Sequence, residues 1–179
     1  MKKKTDYRWV IKIVLMSICI SAVFNFISSE ILDDAGYFLA FIVLLVFIIL
    51  GVLFDMVGMA VASADEVPFH AMSSHRVRGA AESIKLVRNA EKVSSICNDV
   101  VGDISGIISG STGAAIVANL VRDMSFNSML ISIVVSGLVA GLTIGGKALG
   151  KTVAVNRSTN IVLMCGKGIS VFKSIFKRK

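Results

Sequence analysis

Residues 37–53, YFLAFIVLLVFIILGVL, form an almost unbroken run of large apolar side chains. About 20 such residues in a helix match the roughly 30 Å hydrocarbon core of a bilayer. The chain of 179 residues is 55% hydrophobic, contains a single proline and has a mean hydropathy of +0.79. The run therefore predicts a membrane-spanning helix, and the composition predicts a lipid-facing protein.

Three further segments predict membrane helices: residues 9–27, 94–120 and 129–149. The first begins like a signal peptide, but its apolar run is longer than a signal core and no A-x-A site follows it, which favours an uncleaved anchor. The segment 94–120 is weakly hydropathic and rich in Gly, Ser and Ala. The predicted fold is an all-α membrane protein with four transmembrane helices.

Basic and acidic residues fall on alternate connections between these segments. Lysine and arginine precede the first segment, occupy the connection between the second and third, and follow the fourth: Lys2, Lys3, Lys4, Arg8; Arg76, Arg78, Lys85, Arg88, Lys92; Lys167, Lys173, Lys177, Arg178, Lys179. The other connections carry Glu30, Asp33, Asp34 and Asp123 against Arg122. Excess Lys and Arg mark the cytoplasmic side, so we expect a multi-pass protein of the cell membrane with both termini cytoplasmic. This orientation explains the net charge of +7 better than nucleic-acid binding does.

The connection between the second and third segments, residues 65–93, is expected to be mostly helical. In VRGAAESIKLVRNAEKV, apolar residues recur near helical spacing with Arg, Lys and Glu between them. Pro68 is a favourable start for this part. The pattern predicts an amphipathic helical cytoplasmic hairpin on the membrane surface, and it leaves open a plain connector or a regulatory element.

Residues 145–152, GGKALGKT, match the phosphate-binding pattern G-x-x-x-x-G-K-[ST] through Gly145, Gly150, Lys151 and Thr152. A nucleotide-binding loop needs a strand before it and a helix after it. Here about twenty apolar and small residues precede the motif, and no β-α-β pattern follows. We therefore interpret the match as accidental and expect no nucleotide.

Enzymatic chemistry is not predicted either. Cys19, Cys97 and Cys165 lie far apart and show no Cys or Cys/His spacing typical of zinc sites, and they do not support a disulfide framework. His70 and His75 lie in the connection without a nearby nucleophile arrangement.

Charged and amide side chains inside the predicted spans are the candidate functional residues. At about 1.5 Å per residue, Asp55 and Lys147 each lie roughly 27 Å from the outer ends of their helices. Asp99 and Asp103 lie one or two turns inside the third span, at a similar depth. The predicted ion pathway or intramembrane charge cluster comprises Asp55, Ser63, Asn98, Asp99, Asp103 and Lys147.

Two interpretations of this cluster are open. Carboxylate and amide oxygens suit hard cations such as Mg²⁺, so the predicted metal ligands are Asp55, Asn98, Asp99 and Asp103. Alternatively, the acids and Lys147 neutralise one another and fix the helices.

Three short segments occur along the chain in the same order as three motifs of a known protein family. Residues 54–64 read FDMVGMAVASA, residues 89–95 read NAEKVSS, and residues 146–154 read GKALGKTVA, followed by NRS. They resemble F-S-x-S-E-x-A-x-x-S-A, N-P-E-R-F-L-S and G-E-x-x-P-K-T-x-A followed by N-P-E. These are motifs of the transmembrane domain of the CorB/CorC and cyclin M (CNNM) magnesium transport proteins. The resemblance covers about residues 40–170 and implies a three-span domain, a homodimer and Mg²⁺ as the bound ion.

The chain departs from this family at the positions that the resemblance assigns to metal binding. Asp55 stands where the family has Ser, and Lys147 stands where it has the metal-binding Glu. The resemblance also implies domain boundaries: an extra N-terminal anchor helix at 1–36, the three-span domain at 37–160 and a basic amphipathic cytoplasmic tail at 161–179, without the family's soluble regulatory modules. The expected function is divalent-cation transport or homeostasis. The alternative is a non-transporting scaffold or partner-binding subunit.

Overall fold

The computed structural model describes residues 7–33, 36–124 and 128–176. These residues form eight α-helices and one π-helix: α1 Tyr7–Asp33, α2 Tyr37–Ser63, α3 Val67–Ser74, α4 Ala80–Arg88, α5 Ala90–Ser95, the π-helix Ile96–Gly102, α6 Asp103–Met124, α7 Ser128–Asn156 and α8 Ser158–Phe176. The described part of the chain contains no strand, so the all-α prediction is confirmed.

Four helical segments are long and apolar enough to cross a membrane: Tyr7–Ser28, Tyr37–Ser63, Ala90–Arg122 and Met129–Asn156. The prediction of four spans is therefore confirmed. All four extend beyond the hydropathic runs that identified them, because helix continues into the residues at their ends. The third span contains the π-helix, which the sequence pattern did not predict.

The connection between the second and third spans is helical, as expected. Pro68 lies in the first turn of α3, which suits a residue without a backbone N–H. Gly79 then adopts a left-handed conformation with φ of 89°, directly before α4. A side chain in this conformation would be strained, so glycine permits the reversal between the two helices.

Clustering of the backbone divides the chain into two compact units. The first consists of Met1–Gly51 and Val100–Gly146. In it, α1 packs on α6 through an apolar cluster of Val100, Ile104 and Ile108 with Ile13, Met16, Ile20, Phe24 and Phe47. A second cluster joins α2 to α7 through Leu44, Ile48 and Val139.

A stripe of hydroxyl side chains on α6 is turned into this unit. Ser105, Ser109 and Thr112 are buried, and Thr112 shares a hydrogen bond with Ser28 of α1, with 3.4 Å between their oxygens. Such a stripe of hydroxyl and small residues faces protein because hydroxyls in hydrocarbon would lack partners.

The second unit consists of Val52–Asp99 and Lys147–Lys179. Its core contains the fully buried Ala60, Val61, Phe69, Ala154 and Val162, contributed by α2, α3, α7 and α8. The residues predicted as a basic tail thus belong largely to α8, and the inner face of this helix forms part of a core.

Helix α4 packs closely on α8 within the second unit. The Ser83 hydroxyl donates to the Val162 carbonyl over 3.1 Å, and Gly166 lies against Gly79 and Ser83. A Cβ atom at Gly166 would overlap the Gly79 carbonyl oxygen, so the two helices approach at a distance that only glycine allows.

Candidate functional site

Asp55 is the most buried charged residue of the described chain, at 4% exposure. It lies on α2, after eighteen residues that contain no charge. The Nζ atom of Lys151 on α7 lies 3.6 Å from its Oδ2 atom. A buried carboxylate without a cation would be strongly unfavourable, so this ion pair explains how α2 accommodates the charge.

Gly150 brings the lysine to this position. A Cβ atom at Gly150 would lie 3.3 Å from Val52 Cγ1 and 3.7 Å from Met56 Cβ. Helix α7 therefore packs closely on α2 at this glycine, and the next residue, Lys151, reaches the carboxylate from the partly exposed edge of the contact.

Asn98 approaches α2 one turn beyond Asp55. Its side chain lies directly on Gly58, where a Cβ atom would overlap Oδ1 and would lie 2.7 Å from Cγ. Asn98 belongs to the π-helix, which inserts an extra residue into the turn and changes the direction in which side chains point. Glycine on α2 and the π-helix together place the amide against the helix.

Two buried oxygens at this place lack hydrogen bonds. Within the described residues, neither Asp55 Oδ2 nor Asn98 Oδ1 has a hydrogen-bond partner. Positions 55 and 58 are three residues apart on a helix, which corresponds to about 5–6 Å between Cβ positions. Two acceptor-only oxygens of this kind favour a cation between or beside them, and the Lys151 ammonium partly fulfils that role for the carboxylate.

The other residues of the predicted cluster have different surroundings. Asp99, Asp103 and Ser63 have exposed side chains, and Lys147 is half-buried. Asp103 belongs to the first unit, whereas the remaining members belong to the second. Among the described residues, no group of three or more His, Cys, Asp and Glu side chains is arranged to hold a metal ion.

The sequence prediction did not include Lys151 in the charge cluster. It assigned the intramembrane amine to Lys147, one turn earlier on α7. In the sequence, Lys151 belongs to the phosphate-binding pattern and to the segment GKALGKTVA. All eight residues of that pattern lie inside α7, and Gly150 and Lys151 pack and pair with α2 there. The sequence signal for this contact is a glycine directly before a lysine on α7, opposite Val52 and Asp55 on α2.

Outside the spans, ionic contacts hold the start of the helical connection. Glu66 accepts hydrogen bonds from His70 over 2.8 Å and from Arg88 over 2.6 Å. These bonds lower the pKa of Glu66 below its ordinary value of 4.5, and the bond from His70 makes the largest contribution. In α8, burial raises the pKa of the Cys165 thiol, so this cysteine is a poor nucleophile.

Comparison of the chain with protein-family models, curated proteins and solved structures finds no match. The resemblance to the CorB/CorC and cyclin M group therefore stays a prediction from the sequence.

Proposed function

We propose that this chain is a multi-pass membrane protein that binds divalent cations beside Asp55 and acts in their transport or homeostasis. The observation that carries the proposal is the pair of buried oxygens, Asp55 Oδ2 and Asn98 Oδ1, without hydrogen bonds and with one ammonium nearby. Carboxylate and amide oxygens are ligands that Mg²⁺ accepts together with water. They would supply only part of its coordination shell.

In this proposal Lys151 is a displaceable counter-charge. Its side chain is 48% exposed whereas that of Asp55 is 6% exposed, so the ammonium can withdraw along its flexible stem while the carboxylate stays buried. Withdrawal leaves a buried negative charge that attracts another cation. Asp55 then binds and orients this cation, and Asn98 adds a neutral oxygen to the same site.

Metal-dependent melting of the purified protein tests the binding step. We expect Lys151→Gln to increase the stabilisation by Mg²⁺ or Mn²⁺, because it removes the competing ammonium, and Asp55→Asn to abolish it. Lys85→Gln on α4, an exposed lysine of the same unit, is the matched control and should respond like the unmodified protein. Equal metal responses in all four proteins would refute a site at Asp55.

Flux in liposomes separates transport from binding. The proposal expects entry of Mg²⁺, Co²⁺ or Mn²⁺ that depends on Asp55. If the protein binds cations but none of the three ions crosses the membrane, transport is excluded, and the proposed role narrows to binding or sensing of the cation.

A second candidate function is that of a non-transporting scaffold or partner-binding subunit. One observation favours it: on α7, Cβ atoms at Gly137, Gly141 and Gly145 would meet no other described atom within 4 Å. Glycines repeated every four residues let membrane helices approach closely, so this face suits a second copy of the chain or another membrane helix. Loss of self-association in Gly141→Leu, measured by cross-linking in detergent, would support the dimer, and an unchanged pattern would count against it.

A further inference from the structure

Helix α8 has apolar residues on two opposite faces. The inner face contains Val162, Cys165 and Gly166 and packs on α4 and the core of the second unit. The outer face contains Met164, Val171 and Ile175, at 72%, 41% and 65% exposure, with the exposed Phe172 beside them. The spacing i, i+7, i+11 places these side chains along one line of the helix.

The surroundings of this outer face are basic. Lys167 and Lys173 have exposed side chains on α8, and the sequence continues with Lys177, Arg178 and Lys179. No aspartate or glutamate follows Asp123 in the sequence. An exposed apolar line on a helix without acidic residues and with several lysines is the composition of helices that lie in the interface of an anionic bilayer.

Chain connectivity places α8 at the bilayer boundary. The fourth candidate span has 28 residues and ends at Asn156, and α8 begins at Ser158. At about 1.5 Å per residue this span is roughly 42 Å long, compared with roughly 30 Å for the hydrocarbon core. A helix that crosses the hydrocarbon core therefore has both ends at or beyond the boundary of that core, and α8 begins at one of these ends.

We propose that the outer face of α8 binds the surface of an anionic bilayer. Met164, Val171 and Ile175 enter the boundary between headgroups and acyl chains, and Lys167, about 60° from this line, contacts lipid phosphates. A protein partner would need acidic groups and a fixed complementary surface. The bilayer needs neither to be found nor to be oriented, because α7, which is long and apolar enough to span it, leads directly into α8. The inference is independent of cation binding at Asp55.

Tryptophan fluorescence in nanodiscs tests the proposal on the full chain. Trp9, the only tryptophan, is replaced by phenylalanine, and single tryptophans are introduced as Ile175→Trp or Lys173→Trp. Position 175 lies on the line of Met164 and Val171, and position 173 is about 160° away from it around an ideal helix, so the second variant is the matched control. Brominated phosphatidylcholine, mixed with phosphatidylglycerol or not, serves as the quencher within the bilayer.

We expect bromolipid quenching of Ile175→Trp to exceed that of Lys173→Trp by about twofold or more, because the interface immerses one face of such a helix. Phosphatidylglycerol should increase the quenching of Ile175→Trp, and Lys167→Gln should reduce that increase. Equal quenching of both variants would overturn the proposal. So would protection of Ile175→Trp from both bromolipid and aqueous iodide, which would indicate a protein partner or a second copy on this face. If Ile175→Trp lowers the melting temperature, Val171→Trp replaces it.

Discussion

Replacing Gly166 by alanine should loosen the contact between α4 and α8, whereas the same change at Gly168 should not. Both glycines lie inside α8. A Cβ atom at Gly166 would overlap the Gly79 carbonyl oxygen and the Ser83 hydroxyl and would lie 3.1 Å from the Ser83 nitrogen. At Gly168 it would meet no described atom within 4 Å. The pair therefore separates the close helix contact from the intrinsic effect of alanine.

The expected magnitudes follow from three contributions. Alanine in a helix interior is favoured over glycine by about 1 kcal/mol, and this gain applies at both positions. At Gly166, overpacking costs about 1–3 kcal/mol, since two of the opposing atoms belong to the backbone. Displacing the Ser83 hydroxyl from the Val162 carbonyl costs about 1 kcal/mol more. The net expectation is a loss of about 1–3 kcal/mol for Gly166→Ala and a gain of up to about 1 kcal/mol for Gly168→Ala.

Thermal melting of helicity in detergent measures this difference. For a chain of this size, 1 kcal/mol corresponds to about 2–4 °C. Gly166→Ala should therefore melt several degrees lower and Gly168→Ala slightly higher than the unmodified protein. Similar shifts for both variants would show that α8 does not pack on α4 through Gly166.

Three further predictions concern packing, pH and thiol reactivity. Ile108→Ala, at a fully buried position, should lower stability by about 2–5 kcal/mol, whereas Ile107→Ala, 63% exposed, should be nearly neutral in a detergent melt. The contribution of Glu66 to stability should be complete above its ordinary pKa of 4.5 and lost as the pH falls through its lowered folded-state pKa. The difference in melting temperature between the unmodified protein and Glu66→Gln should therefore narrow from pH 6 to pH 3, and a constant difference would contradict this. Iodoacetamide should alkylate Cys165 more slowly in the folded protein than in the unfolded protein, because burial raises its pKa; equal rates would refute that burial.

The spans could be predicted from the sequence because bilayer thickness sets a minimum length for an apolar helix. The helical connection and its start at Pro68 could be predicted because amphipathic spacing and proline act locally.

The contacts between helices could not be predicted in the same way. The contact of Lys151 with Asp55 depends on how α7 crosses α2, and the close packing of Gly150 on Val52 brings the two side chains together. The π-helix has no periodic signal of its own in the sequence. The packing of α8 on α4 could not be predicted either, because the approach of Gly166 to Gly79 involves residues far apart in the sequence.

A structure of the Lys151→Gln protein prepared with Mn²⁺, with the metal located by its anomalous scattering, tests the proposed cation site most directly. The account predicts a metal peak at roughly 2.0–2.6 Å from a carboxylate oxygen of Asp55, with Asn98 Oδ1 as a second ligand or bound through water. The Asp55→Asn protein should lack this peak. A metal bound elsewhere, or no metal beside Asp55 in the Lys151→Gln protein, would contradict the account.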